Sequence, residues 1–175
     1  MEETIDLNGF IRAMFDRSNE HVKTTCDGLS DDQLYYQPNE NSNSIGWLAW
    51  HFNRVKDQVT ATIAGEDEAW ISEGWAERYG MTPGATGAGD TQEEVAAFRF
   101  SRELLFGYVD AAHRATMRRL SDITPQQLTQ PVRYVLGDTR PVWQALRGML
   151  GDTYQHTGQI SYLRGMITGY GWRTT

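Results

Sequence analysis

The sequence predicts an all-α fold, a four-helix bundle with a long loop between helices 2 and 3. Three observations carry that prediction. Apolar residues recur at spacings of three and four over four long stretches. Capping residues stand where those stretches begin. A glycine-rich segment without a period, residues 65–90, separates the second stretch from the third. Strand-like alternation is nearly absent, and loops this uneven favour a bundle with a long crossover over a simple up-down-up-down order.

The first helix is expected from about Ile5 to Gly28, with Leu7, Phe10, Ile11, Met14, Phe15 and Val22 on its inner face. In LSDDQL, Ser30 and Gln33 have the spacing of a capping box, so a short helical turn should end before Pro38. Asn43 or Ser44 then caps the second helix, whose buried stripe is Ile45, Leu48, Phe52, Val55, Val59 and Ile63. In residues 65–90, Trp70 and Trp75 should tuck the loop against the body.

The third helix is expected to start at DTQEE, with Asp90 or Thr91 as cap and Glu93 and Glu94 complementing the helix dipole. Val95, Phe98, Leu105, Val109, Ala112 and Leu120 would give its inner face. ITPQQL reads as another short turn, capped by Thr124 with Pro125 at the first helical position. PVRYVLGDTRP is a loop or a short extended piece, and the last helix runs from Pro141 to about Thr168.

Residues 1–175 fit one domain with a full core, and six Trp, eight Tyr and six Phe spread along the chain argue against disorder. A net charge of −7 and a pI near 5 disfavour nucleic acid or an anionic membrane as partner. The one local cationic cluster, Arg114, Arg118 and Arg119, reads as a solvated helix face. Cys26 is the single cysteine, which excludes an intrachain disulfide and a cysteine metal site. It reads as a packed small residue. With an acidic N-terminus and no bilayer-length apolar run, a soluble cytoplasmic protein is expected.

The candidate chemistry lies in the last helix. Val142, Leu146, Met149, Thr153, His156, Ile160, Leu163 and Ile167 follow the spacing of a bundle seam, which puts a histidine where burial is expected. Asp152 lies four residues before it on the same face, and Gln159 extends the polar strip. Asp152 and His156 could form an ion pair at the seam's edge, or share a metal ion that satisfies both. His51, beside the stripe of the second helix, could meet them if the two helices are neighbours. His21 and His113 sit nearer the edges of their stripes and read as structural or surface residues. Gly151, Gly158 and Gly165, seven apart, share one helix face and read as packing, letting a helix of this chain or of a second copy come close. Arg164 reads as a helix-end cap rather than a substrate anchor.

The segment NSIGWLAWHFNRV, followed far downstream by D-x-x-x-H-x-G-Q-I-x-Y-L-R-G, resembles the DinB-like superfamily of metal-binding four-helix bundles. The style is nearest the branch that contains mycothiol-dependent maleylpyruvate isomerase, and LSDDQLYYQP and the terminal GW extend the likeness. The resemblance implies a divalent metal, zinc first and nickel, iron or manganese as alternatives, on His51, Asp152 and His156. Many members have His at the position of Asp152 and the mycothiol branch has Glu, so a shorter carboxylate stands here.

The resemblance also implies a low-molecular-weight thiol as cofactor, a small-molecule substrate and a homodimer. The enzyme expected is a thiol-dependent transferase or isomerase acting on a small electrophile, with hydrolysis a further option. The alternative is a non-enzymatic metal-binding or stress-associated bundle. A mouth lined by Trp47, Trp50, Tyr154 or the 65–90 loop, with open metal positions, would favour the enzyme.

Overall fold

The computed structural model describes residues 6–135, 137–169 and 171–172; Ile5, the expected start of the first helix, lies outside them. Four long helices form the body: α1 (Leu7–Cys26), α3 (Ile45–Ala64), α7 (Arg102–Ser121) and α9 (Val142–Thr168). Both α1 and α3 pack against α7 and α9, so α1 and α3 stand diagonally opposite. The order is therefore not a simple up-down-up-down circuit, and α3 and α9, which carry His51 and His156, are direct neighbours.

The capping chemistry sets the element starts. The Asp6 carboxylate accepts the Gly9 amide at α1, and the Ser44 hydroxyl accepts the Trp47 amide at α3. Full capping boxes form at α2 (Asp31–Leu34), between Ser30 and Gln33, and at α8 (Pro125–Leu128), between Thr124 and Gln127. Gly65, at φ +67°, ends α3 in the left-handed region that glycine tolerates. A small antiparallel hairpin pairs β1 (Pro131–Arg133) with β2 (Thr139–Pro141).

The expected third helix is two. A capping box between Thr91 and Glu94 starts α6 (Gln92–Ala97), the chain then extends through Phe98 to Ser101, and Ser101 caps α7 anew. Phe98 and Phe100 explain the break. Residues two apart cannot share a helix face, yet both rings join one aromatic cluster, 4.9 Å from each other and 4.8 Å (Phe98 to Trp50) and 4.5 Å (Phe100 to Tyr79) from their neighbours.

The 65–90 segment wraps the body through two short helices, α4 (Ala69–Ser72) and α5 (Trp75–Tyr79), with Trp70 and Trp75 buried as expected. Its anchor is a buried ionic network on α3. The Asp57 carboxylate accepts the amides of Ala69 and Trp70 at 3.0 and 2.9 Å, and Arg119 meets it at 2.7 Å. Arg54, fully buried, donates to Glu68 at 2.7 Å and to the Ala85 carbonyl at 2.8 Å. One side chain thus ties down both ends of the segment. Arg119 departs from the solvated face expected of it: only Arg114 and Arg118 of that trio are exposed, because the Arg119 guanidinium is drawn to Asp57 and the Asp67 carbonyl.

Two further expectations change. Leu7 and Phe10 are not buried; with Ile11, Leu128, Trp143 and Leu150 they line a shallow surface groove. The glycine row on α9 packs no helix of this chain, since a Cβ added at Gly151 or Gly158 would meet nothing within 4 Å. Arg164 does cap a helix end, but that of α1, donating to the Asp27 carbonyl at 2.8 Å. Cys26 is fully buried, as a packed small residue should be.

Candidate metal centre

His51 leaves α3 two turns after its N-cap, and Asp152 and His156 leave α9 one turn apart. Because α3 and α9 are neighbours, the three meet, with one potential ligand atom from each lying within 4.8 Å of the others. The His51 and His156 rings approach edge to face with centroids 5.1 Å apart. His156 Nε2 stands 3.2 Å from Asp152 Oδ1. The shorter carboxylate therefore reaches the histidine pair.

Both imidazoles are oriented from behind. His51 Nδ1 lies 2.5 Å from the Thr86 carbonyl, and His156 Nδ1 lies 2.7 Å from Gln159 Oε1. A carbonyl oxygen only accepts, so each Nδ1 carries a proton; the Nε2 of His51 keeps its lone pair, and the Nε2 of His156 faces Asp152. That is the orientation metal-bound histidines take when a second group holds the far nitrogen. The 65–90 segment reaches His51 because residue 87 is glycine. Its φ is +85°, and a Cβ there would fall 2.7 Å from Trp47, 2.9 Å from Trp50 and 3.1 Å from His51. Trp47 stacks on His51 at 4.7 Å, and its Nε1 donates to Asp90 at 2.9 Å.

The electrostatics of the two histidines diverge. Burial pushes His51 below its ordinary pKa, only partly offset by the Thr86 bond, which favours its neutral form. Burial also opposes charge on His156, but the Asp152 and Gln159 hydrogen bonds and the Asp152 charge together outweigh it, and its pKa rises. Asp152 Oδ2 is buried without a hydrogen-bond partner among the described residues. An ion pair of Asp152 with His156 alone would leave that oxygen, and the inward lone pair of His51, unanswered. A divalent cation answers both, so the donor set fits a metal.

Beside the triad lies a cavity of about 810 Å³ between α3, α9, the hairpin and the 84–88 stretch of the wrapping segment. Gly84, Thr86 and Ala88 line it, as expected for a mouth formed by that segment. Trp47, Trp50 and Tyr154 do not: both tryptophans are buried, and Tyr154 donates to the Met14 carbonyl at 3.1 Å. His21 and His113 stay outside the cluster, bonded to Ser161 at 2.6 Å and Asp16 at 2.9 Å. Sequence reasoning missed Thr86, whose role depends on a loop that returns to α3 from far along the chain. The only signal was the glycine-rich TGAG run.

Comparison with known proteins agrees with this architecture. A crystal structure of a conserved protein from Enterococcus faecalis superposes with a TM-score of 0.83 at 24% identity, covering 95% of this chain and 99% of that one. No curated protein matches the chain in sequence. The family model described as DinB superfamily matches residues 14–160. With most of its length matched and its helices arranged in that fold, the chain belongs to the DinB superfamily.

Proposed function

We propose that this chain is a divalent-metal-dependent enzyme of thiol chemistry, an S-transferase or isomerase acting on a small electrophile, with zinc on His51, Asp152 and His156. The observation that carries the reading is the convergence of three donors from two helices, both histidines held by their outer nitrogens, beside an accessible cavity. A zinc ion held by three protein ligands keeps a position open where a bound thiol loses its proton near neutral pH.

The chain's own residues do the rest. Thr86 and Gln159 fix the two rings, and Asp152 supplies the negative charge. Burial pushes the Cys26 thiol up to about 12, and α1 holds it in the core, so a reactive sulfur must come from a small molecule. The resemblance of the NSIGWLAWHFNRV and D-x-x-x-H-x-G-Q-I segments to the mycothiol branch supports a low-molecular-weight thiol of that kind.

A cytoplasmic location and a homodimer belong to the same proposal. Among the described residues no helix is long and apolar enough to cross a membrane. Tyr162, 72% exposed, and Met166 lie beside Gly158 on an open face of α9 that a second copy could cover.

Metal content of tag-free protein purified without added metal, alongside His51→Ala and His156→Ala, tests the central claim. About one transition-metal ion per chain, lost in both variants, is expected. Absence of metal, together with no thermal stabilisation by zinc or nickel, would reduce the cluster to an Asp–His ion pair and remove the enzyme's chemistry.

A further inference from the structure

The cavity beside the triad is asymmetric in a way the metal reading does not use. Its floor is α9, and along that floor the residues run Arg147, Gly148, Gly151, Asp152 and Gln155. Among the described residues Arg147 is the only arginine or lysine lining the cavity, and it has no hydrogen bond or ion pair with any of them. The other arginine nearby, Arg140, is taken: Asp138 holds it at 2.6 Å and its guanidinium lies 4.0 Å from the Tyr134 ring centre. An unpaired guanidinium on a chain of net charge −7 offers five donors in a planar fork suited to a carboxylate.

Between Arg147 and the triad the floor is bare. Gly151 carries no side chain, and a Cβ there would meet nothing within 4 Å, so the helix backbone is open to whatever lies in the cavity. Gly148 serves a different purpose. A Cβ on it would fall 2.9 Å from the Tyr134 hydroxyl, so glycine lets that hydroxyl sit against the helix at the cavity's edge. Burial, with Asp152 nearby, raises the Tyr134 pKa and keeps the hydroxyl a donor. Arg147 and Asp152 are five residues apart, about 7.5 Å along the helix axis.

We propose that this cavity selects small ligands carrying a carboxylate, held by Arg147 at one end, with a metal-seeking sulfur directed to His51, Asp152 and His156 at the other. The inference rests on the metal reading and adds the ligand class to it.

Cobalt-loaded protein tests both layers, because a thiolate on cobalt has its own near-ultraviolet absorption. The probes are 6-mercaptohexanoate and its uncharged counterpart 6-mercaptohexanol, titrated into wild type, Arg147→Gln and Arg147→Lys. Wild type should prefer the acid about tenfold, the yield of one well-made charge-assisted contact that remains partly solvated. Arg147→Gln should lose that preference while binding the alcohol and cobalt as before, and Arg147→Lys should keep part of it. Arg147 is exposed, so neither variant threatens the fold. Equal binding of acid and alcohol by wild type, or a preference that survives in Arg147→Gln, overturns the inference and leaves the metal reading standing. Failure of wild type to take up cobalt overturns both.

Discussion

The Nδ1 of His51 meets the carbonyl of Thr86 at 2.5 Å, across 35 residues of sequence. The wrapping segment therefore does more than cover the core. It sets which nitrogen of His51 faces the cluster, and Gly87 is the residue that allows the approach.

Gly87→Val tests that coupling. A side chain at φ +85° is strained, and it would also collide with Trp47, Trp50 and His51, pushing Thr86 away. Loss of such an orienting contact costs about 10- to 100-fold in metal affinity. Competition against a chromophoric zinc chelator measures it. Unchanged affinity would mean Thr86 does not orient His51.

Metal affinity and metal-free stability should respond to pH in opposite senses. The raised pKa of His156 means its pairing with Asp152 stabilises the metal-free protein fully below about pH 6.5, and that stabilisation is lost as pH rises through the folded-state value. A metal requires the neutral ring, so affinity climbs over the same rise in pH. His51, whose pKa burial holds below its ordinary value, adds to this dependence only at the acid end. Zinc titrations between pH 5.5 and 8 on wild type and Asp152→Asn resolve it, the variant showing a shallower dependence.

Asp57→Asn should be severely destabilising. The carboxylate accepts two backbone amides, the Tyr108 hydroxyl at 3.2 Å and Arg119 at 2.7 Å, while Arg54 stands 3.6 Å away. Removing its charge takes one of two carboxylates from each buried guanidinium, leaving Glu68 to Arg54 and Glu66 to Arg119, a loss of about 3 kcal/mol. Urea unfolding reads the change, and a loss below about 1 kcal/mol would show that the network relaxes without it.

Lys56 predicts a different pH window. It is fully buried, its ammonium lies 5.7 Å from the Phe52 ring centre, and desolvation, opposed by Asp57 and Asp16, lowers its pKa from 10.5 to about 7. Between those values the unfolded chain binds more protons, so stability rises with pH across the window, by an amount on the order of 5 kcal/mol. Lys56→Met should be more stable than wild type at pH 7 and should flatten that rise. Parallel pH dependences in the two proteins would refute the assignment.

The long helices and the triad were legible because both obey local rules: spacing sets the buried stripe, and a carboxylate and imidazole four apart share a face. The caps at Ser44, Thr91 and Thr124 were legible for the same reason. What escaped was non-local. FRFS continues an apolar rhythm, and only the shared aromatic cluster shows that Phe98 and Phe100 must both point inward and break the helix. Arg54, Lys56 and Asp57 look like the solvated face of α3, yet that helix is enclosed by α7, α9 and the wrapping segment, so Arg54 and Asp57 find partners inside while the Lys56 ammonium is desolvated. Arg119 follows from the same enclosure. Arg147 gave no signal, because an unpaired surface arginine matters only once the cavity beside it is seen.

The burial of Cys26 has a practical consequence. With the sole sulfhydryl sealed in the core, a thiol-reactive dye cannot label the intact fold, and labelling reports only molecules that have opened. The rate of that labelling is then a clock for opening near the end of α1, readable without any engineered probe. Any sulfur reactivity seen at the cluster in a fully folded sample belongs to what was added.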